Sequence, residues 1–399
     1  MKNFSRRQFL KAAAVLAVTS ACDAVPSSIP NLPSLATRTP TSPPEPTPTP
    51  GPTATLTPLP PTFGLHERAK VKNLIYGAAI GSAGLADVAL KRKFTEECGI
   101  LVPENELKWS TIRPANDTDK FDFSKADALY NFAKESNMLF RGHTLVWHNQ
   151  LPTWFNSKVT KQNAEAVLTQ HITLTMAHFA GKVHSWDVVN EAIHPPDKRD
   201  DGLRKTKWLE LLGDNYIETA FKAAASGDSK TLLTYNDFGI ELDTPEHEAK
   251  RKAILKLLER LKTKKIPIHA LGIQAHLDAS VIKLFKAEIF RKFLSDVAAL
   301  GLKIMITELD VIDQKLPRDV ATRDIAVADA YKTFLSTTLE EPNVIAVLTW
   351  GLSDKYTWLT KEKPRNDGAK VRPLPLDEDF KRKLAWDAMA EVIDKAKGR

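Results

Sequence analysis

The sequence has only two cysteines in 399 residues, Cys22 and Cys98. Two cysteines are too few for a structural zinc site, and Cys22 lies at the end of a predicted targeting segment. The folded part is therefore predicted to contain no disulfide. We interpret Cys98, which precedes an apolar strand candidate, as a buried small side chain rather than a reactive thiol.

The signatures of several other protein classes are also missing. Beyond the N-terminus no apolar run approaches the roughly 20 residues of a membrane span, so we expect no integral membrane span. The net charge of +7 comes without a basic run interleaved with aromatics, so nucleic acid is not an expected partner. No HExxH spacing exists, and His143 and His148 lie an odd number of residues apart on a strand candidate. We therefore predict no metal site.

Residues 1–25 have the pattern of an export signal. The segment 5–11 (SRRQFLK) precedes an apolar run, residues 12–21, that is too short to span a bilayer as a stable helix. The paired arginines resemble the twin-arginine signal, which implies export of a folded protein. Cys22 also resembles the lipidated cysteine of bacterial lipoproteins, although Thr19 stands where Leu is usual. Free extracellular secretion and a lipid anchor at the cell surface both remain open.

Residues 26–65 have the composition of a linker. Thr, Pro and Ser dominate this segment, and 13 of the 25 prolines of the chain lie between residues 26 and 62. Proline prevents both helix and ladder formation, and the segment has little apolar surface to bury. It is predicted to be a disordered tether that extends by roughly 3 Å per residue.

Residues 66–399 alternate between short apolar runs and amphipathic stretches. The strand candidates are 74–80, 100–102, 139–146, 183–189, 231–235, 270–273, 303–307 and 344–348, and examples of the helical stretches are 123–137, 208–225 and 246–262. Eight strands with helices between them predict an α/β fold with parallel strands, and the count and length fit a (β/α)8 TIM barrel as a single catalytic domain. A doubly wound sheet is the alternative, and the absence of a Gly-rich phosphate loop after the first strand disfavours it.

Polar side chains follow the predicted strands at their carboxyl ends, where catalytic residues lie in a barrel. They include two glutamates, Glu191 after the fourth strand and Glu308 after the seventh, and Trp, His, Asn and Gln surround them in the sequence. Glycoside hydrolysis needs one carboxylic acid to protonate the leaving oxygen and one carboxylate at the anomeric carbon. Tryptophans offer flat faces for sugar rings, and amides, histidine and lysine bind hydroxyls. The sequence therefore predicts a glycosidase.

Eight blocks of the sequence together resemble the family-ten glycoside hydrolases, chiefly endo-β-1,4-xylanases. These blocks are residues 104–109 (ENELKW), 141–154 (RGHTLVWHNQLPTW), 186–192 (WDVVNEA), 234–237 (TYND), 274–277 (QAHL), 307–310 (TELD), 350–351 (WG) and 372–377 (RPLPLD). The resemblance covers essentially the whole of residues 66–399. It implies a retaining enzyme that cleaves internal bonds of xylan and acts on xylo-oligosaccharides, with no metal or organic cofactor.

The resemblance also implies a role for each matching residue. Glu191 would be the acid/base and Glu308 the nucleophile, while Asn190 would bind the 2-hydroxyl of the sugar under attack. His276 would hold Glu308, and Asp310 would orient His276. The remaining residues would bind substrate: Glu104, Asn105, Lys108, His143, Trp147 and Gln150 in the glycone subsites, Gln274 completing the pocket, and Trp350 and Trp358 as an aromatic roof that crowds a sugar with a hydroxymethyl group.

Alternatives to this function stay open in the sequence. A β-1,4-glucanase or an aryl-cellobioside-active enzyme is the nearest alternative, and a carbohydrate-binding protein without catalysis is the alternative from another class. The intact pair of glutamates with His276 and Asp310 argues against the second. A monomer is expected. The long eighth loop, residues 360–370, is interpreted as a surface excursion rather than as part of the aglycone side.

Overall fold

A computed structural model describes residues 62–115 and 120–399 of the chain. The predicted signal peptide, Cys22 and the linker up to residue 61 lie outside the described residues. Helix α1 (Leu65–Lys70) already includes Leu65, whose side chain is buried, so regular structure begins one residue before the predicted domain start.

The strands form one parallel sheet that closes on itself. In chain order they are β1 (Ile75–Ile80), β2 (Ile100–Pro103), β3 (Leu139–Gly142), β4 (Ser185–Asn190), β5 (Leu232–Asp237), β6 (Ala270–Ile273), β7 (His276–Asp278), β8 (Lys303–Ile312) and β9 (Val344–Thr349). The sheet order is β6-β5-β4-β3-β2-β1-β9-β8-β7, and the additional pairing of β6 with β8 closes the barrel. Strand β7 is a short piece that pairs beside the distal half of β8, with His276 opposite Asp310. The predicted eight-stranded barrel is therefore confirmed, and an open doubly wound sheet is excluded.

Helices follow the strands around the outside of the barrel. After α1 they are α2 (Ser82–Leu85), α3 (Val88–Glu97), α4 (Trp109–Ile112), α5 (Ser124–Glu135), α6 (Phe155–Lys158), α7 (Ala164–His178), α8 (Lys207–Leu212), α9 (Tyr216–Gly227), α10 (Pro245–Thr263), α11 (Ala287–Ala299), α12 (Val320–Thr338), α13 (Leu359–Glu362) and α14 (Leu384–Lys395). No helix in the described part of the chain is both long and apolar enough to cross a bilayer.

The apolar core has two parts because strand side chains alternate between the two faces of the barrel wall. On β2, Ile100 and Val102 belong to a small cluster of strand residues, whereas Leu101 between them packs into the large cluster shared with the helices. Strand β9 repeats this pattern with Ala346 and Val347. The small cluster therefore fills the barrel interior, and the large one, which includes the buried Cys98, joins the barrel to its helices.

Two predicted elements differ from the sequence pattern, since one is divided and the other is shorter. The amphipathic stretch 208–225 is two helices, α8 and α9, because the chain turns at Gly213 with a φ of 68° that favours glycine. The third strand ends at Gly142 rather than at residue 146, and beyond it Val146 makes only an isolated bridge to Val189. The two-residue period consequently does not extend from His143 to Trp147, although both residues face the same cleft.

Candidate active site

A cleft of about 1170 Å³ opens at the carboxyl ends of the strands. All of the predicted site residues except Asp310 line it, namely Glu104, Asn105, Lys108, His143, Trp147, Gln150, Asn190, Glu191, Gln274, His276, Glu308, Trp350 and Trp358. Asp310 lies behind this surface and is fully buried. The structure thus brings together residues that are up to 254 positions apart in the sequence.

Glu191 follows β4 directly and has a left-handed backbone with a φ of 59°. Two bonds hold this conformation: the Glu191 amide donates to the Asn236 carbonyl at 2.9 Å, and Arg204 Nε donates to the Glu191 carbonyl at 2.8 Å. The carboxyl Oε1 accepts hydrogen bonds from Asn190 Nδ2 at 3.2 Å and Gln274 Nε2 at 3.1 Å. A non-glycine residue in this conformation costs free energy, so the surrounding contacts must fix it.

Glu308 lies on β8 between two side chains that favour its ionised form. His276 Nε2 is 3.4 Å from Glu308 Oε2, and Asn236 Nδ2 donates to Glu308 Oε1 at 2.7 Å. Behind them, His276 Nδ1 is hydrogen-bonded to Asp310 Oδ1 at 2.9 Å. The arrangement of Glu308, His276 and Asp310 is therefore the relay that the resemblance implies.

The surroundings push the pKa values of the two glutamates in opposite directions. Burial raises the pKa of Glu191, and the Trp147 indole and Gln274 amide oppose this only in part. Burial also raises the pKa of Glu308, but His143, His276 and Lys108 together lower it to about 2. Two carboxyl groups in one cleft, one with a raised pKa and one with a lowered pKa, form the pairing expected of a catalytic acid and a nucleophile.

The histidine of the relay is also held in its charged form. Although burial lowers the pKa of His276, the carboxylates of Asp310 and Glu308 raise it well above its usual value. A charged imidazole that donates to both carboxylates keeps Glu308 ionised and aimed into the cleft.

A second buried network approaches Glu308 from β3 and β4. Arg141 and His143 Nδ1 both bind Asp187, the latter at 3.0 Å, and His143 Nδ1 is 3.9 Å from Glu308 Oε1. Potential ligand atoms of His143, Asp187 and Glu308 lie within 4.8 Å of one another. The Arg141 guanidinium on Asp187 disfavours a further cation there, so we interpret the group as an electrostatic support for the nucleophile.

One wall of the cleft carries the residues predicted for the glycone subsites. Lys108 Nζ donates to Asn105 Oδ1 at 3.0 Å and lies 4.9 Å from the Trp147 ring centroid. Burial lowers the pKa of Lys108, and the nearby Glu308, Glu104 and Glu191 carboxyls oppose this effect. Gln150 Nε2 is 3.5 Å from the same Asn105 oxygen. These donors and acceptors form a continuous polar surface for sugar hydroxyls.

The two predicted roof tryptophans contact the histidines beneath them. The Trp350 ring lies 5.1 Å from that of His143 in an edge-on arrangement, and the Trp358 ring lies 5.1 Å from that of His276. Trp358 Nε1 also donates to Asp310 Oδ2 at 2.7 Å. The roof is therefore anchored to the same carboxylate that orients His276.

The eighth loop was predicted to be a surface excursion, and this is wrong for its first part. Residues 360–363 line the cleft, and the charge of Lys361 acts on Glu104. The second part does fold over the surface, where the buried Arg365 binds the carbonyls of Asp313 and Leu316. The loop packs back on the barrel because this arginine connects it to the chain that follows β8.

Comparison with known proteins identifies the family of the chain. The family model described as "Glycosyl hydrolase family 10" matches residues 64–392. The chain belongs to glycosyl hydrolase family 10. An "Endo-1,4-beta-xylanase B" of Thermotoga neapolitana is 35% identical over 300 residues, which cover 75% of this chain and 81% of the relative. An "Endo-1,4-beta-xylanase A" of Caldicellulosiruptor is 36% identical over 313 residues. These residues cover 74% of this chain but only 42% of that longer relative.

Solved structures of family 10 share the fold. Native xylanase 10B from Thermotoga maritima matches with a TM-score of 0.75 and 34% identity, over 84% of this chain and 98% of that one. Xylanase 10B from Thermotoga petrophila, crystallised in complex with xylobiose, gives the same TM-score at 33% identity and the same coverage.

Two side chains of this family 10 chain act on Glu308 although the sequence pattern predicts no role for them. Asn236 lies in the TYND block but had no assigned role, yet it donates to Glu308 and accepts from Thr307 Oγ1 at 2.7 Å. Asp187, in the WDVVNEA block, was also unassigned and holds His143. Both are polar residues on predicted barrel strands, and that position was the available signal.

Proposed function

We propose that this protein is a retaining endo-1,4-β-xylanase that hydrolyses internal β-1,4-xylosidic bonds of xylan. The observation that carries the proposal is the opposed pKa shift of Glu191 and Glu308 within one sugar-binding cleft. Membership of family 10 and relatives named as xylanases support the choice of substrate.

In the first step the Glu308 carboxylate attacks the anomeric carbon, and the bond from that carbon to the leaving oxygen breaks. The Glu191 proton moves to the leaving oxygen, so the departing sugar leaves as an alcohol. Asn190 Nδ2 donates to Glu191 Oε1, and Asn236, which donates to Glu308, also donates to Asn190 Oδ1. Asn190 therefore lies between the two acids, and its amide would bind the 2-hydroxyl of the reacting sugar. The product is a covalent glycosyl–Glu308 ester.

In the second step Glu191 acts as the base. Esterification removes the negative charge of Glu308, and this loss lowers the pKa of Glu191 so that it can accept a proton from water. The resulting hydroxide oxygen attacks the anomeric carbon and releases Glu308. Two inversions give net retention, and the residues of this chain supply every proton transfer without a metal or organic cofactor.

The proposed substrate specificity depends on the roof. Trp350 is nearly buried, and the Asp310 bond fixes Trp358 above His276. A xylose ring has only hydrogen atoms at C5, whereas glucose carries a hydroxymethyl group that would meet this roof. Glu104, Asn105, Lys108 and Gln150 would bind the glycone hydroxyls.

The test is hydrolysis of glucuronoxylan against carboxymethyl cellulose by the full chain, followed by NMR of the first-formed anomer. We expect short xylo-oligosaccharides released as β-anomers and at least about 100-fold lower kcat/KM on the glucan, as expected for a steric clash in a fixed pocket. Activity on carboxymethyl cellulose alone would move the substrate to β-1,4-glucan, and an α-anomer formed first would exclude retention. Activity on neither polymer would favour a binding protein.

We further propose that the protein is exported as a folded monomer and acts outside the cell, either free or anchored through Cys22. The twin-arginine pattern of residues 5–11 and the Pro/Thr-rich segment 26–62 support this. We expect Cys22→Ser to move the protein from the membrane fraction to the medium if Cys22 is lipidated. An unchanged distribution in the medium would identify the free form, and retention of both proteins in the cytoplasm would contradict export.

A further inference from the structure

A buried ion pair lies behind the acid/base side of the cleft. Asp237 ends β5, and Lys250 lies on α10; the Lys250 Nζ is 2.7 Å from Asp237 Oδ1. The side chains are only 5% and 0% exposed. Removing two charges from water is costly, and an apolar pair of similar volume would often be as stable. Stability alone therefore does not explain why this ion pair is buried here.

Asp237 is fixed close to the backbone of the acid/base. Its Oδ2 accepts hydrogen bonds from the Tyr235 hydroxyl and from the Ile193 amide at 3.3 Å, and Ile193 is two residues after Glu191. Its Oδ1 accepts from the Phe238 amide at 2.9 Å as well as from Lys250. With these donors the carboxylate has the hydrogen bonds that a buried anion needs.

Lys250 connects this carboxylate to the surface of the cleft. Its ammonium lies 3.8 Å from the ring centroid of Phe238, and Phe238 lines the cleft on the Glu191 side. The ammonium therefore faces an anion on one side and the negative face of an aromatic ring on the other. Both contacts hold the end of β5 in one position.

Several ionisable groups, Asp237 among them, lie near Glu191. The ionisable groups near it, by element, are Asp237 at the end of β5, Glu308 on β8, His148 after β3, Lys108 after β2 and Arg204 after β4. The negative charge of Asp237 raises the pKa of Glu191 more than that of Glu308 does, after the larger effect of burial. His148, whose pKa is lowered to about 4 by burial and by Arg204, is neutral at higher pH.

We propose that Asp237 and Lys250 are a positioning pair that balances the protonation of Glu191 between its acid and base steps. This inference rests on the proposed role of Glu191. The Asp237 carboxylate favours the protonated acid for the first step, and the Lys250 ammonium limits that effect so that the proton can still leave. Neither residue lines the cleft, so both would act through Glu191.

The two members of the pair predict opposite changes in the pH profile. Asp237→Asn removes the negative charge, so the alkaline limb of kcat/KM should move to lower pH by about 0.5 to 1 unit. Lys250→Met leaves that charge uncompensated, so the limb should move to higher pH by a similar amount. A purely structural role would reduce the rate at every pH and would not separate the two variants.

The experiment measures kcat/KM against pH with phenyl β-xylobioside and with 2,4-dinitrophenyl β-xylobioside. The phenyl substrate needs a proton from Glu191, whereas dinitrophenolate leaves without one, so only the first should show the alkaline limb and its movement. A wild type with the same alkaline limb on both substrates would contradict the proposed role of Glu191. If the alkaline limb of the wild type differs between the two substrates but does not shift in the Asp237 and Lys250 variants, the proposed role of the ion pair is contradicted and that of Glu191 is not.

Matched variants separate the charge effect from damage to the fold. Lys252→Met removes an exposed lysine two residues away, whose pairing is with Glu248, and should leave the profile unchanged. Tyr235→Phe keeps both charges but removes a donor from Asp237, so it should give a smaller upward movement even if the charge variants do not fold. Movement of Asp237→Asn and Lys250→Met in the same direction, or no movement in Tyr235→Phe, would overturn the proposal.

Discussion

Replacement of Glu308 by alanine is expected to reduce kcat/KM on xylan by roughly 10⁵-fold, because the nucleophile has no substitute in the cleft. The relay of His276 and Asp310 would remain but would have no carboxylate to orient. Binding of xylo-oligosaccharides, measured by calorimetry, should stay within about tenfold of the wild type, since the polar wall around Lys108 is unchanged.

Azide provides the decisive readout for Glu308→Ala. The small anion can occupy the space of the missing carboxylate and attack the anomeric carbon of an activated aryl xylobioside, which displaces the phenolate in a single inversion. The expected product is the α-xylobiosyl azide. Glu340→Ala, at an exposed ion pair with Arg291, is the control and should retain full activity. A β-azide, or more than about 1% residual activity, would contradict the assignment of the nucleophile.

Replacement of Glu191 by alanine should have the second largest effect, and the effect should depend on the leaving group. General acid catalysis contributes roughly 10² to 10⁴-fold, so kcat/KM on xylan should fall by that range. With 2,4-dinitrophenyl β-xylobioside the first step needs no proton and kcat/KM should fall by less than about tenfold. The comparison of the two substrates measures proton donation directly.

With Glu191→Ala, azide should give the anomer opposite to the one expected from Glu308→Ala. In Glu191→Ala the glycosyl–Glu308 ester still forms, and azide attacks it in a second inversion, so the β-xylobiosyl azide is expected. The alkaline limb of the pH profile, which the raised pKa of Glu191 places above that of an ordinary glutamate, should disappear in this variant. An equal loss on both substrates would show that Glu191 does not donate the proton.

The sequence predicts the barrel well because each strand carries a local signal, an apolar run that ends in polar residues. The closure of β6 on β8 could not be read in the same way, since a pairing between distant strands leaves no periodic trace. The third strand stops at Gly142 although the pattern 139–146 continues, because beyond Gly142 the chain keeps only an isolated bridge from Val146 to Val189. Tertiary contacts decide such ends.

In the candidate site, too, some residues can be predicted from the sequence and others only from the fold. Glu191, Glu308, His276 and Asp310 stand in blocks whose chemistry can be recognised. Lys250 could not be found in this way, because it lies within a helix of many lysines and arginines, and only the fold shows that it faces Asp237 rather than solvent. A charge run usually indicates a solvated face, and here two members of the run, Lys250 and Arg251, are buried.

Asp310 serves two structures with its two oxygens, one bonded to His276 and one to Trp358. Trp358, the proposed roof of the sugar site, and His276, which holds Glu308, therefore share one hydrogen-bonding partner. An evolutionary change that widens the entrance by removing Trp358 also frees an oxygen of Asp310 and loosens His276. Substrate selectivity and catalytic rate therefore depend on the same carboxylate. A variant that accepts bulkier sugars through loss of Trp358 would need a new hydrogen-bond donor to that oxygen of Asp310.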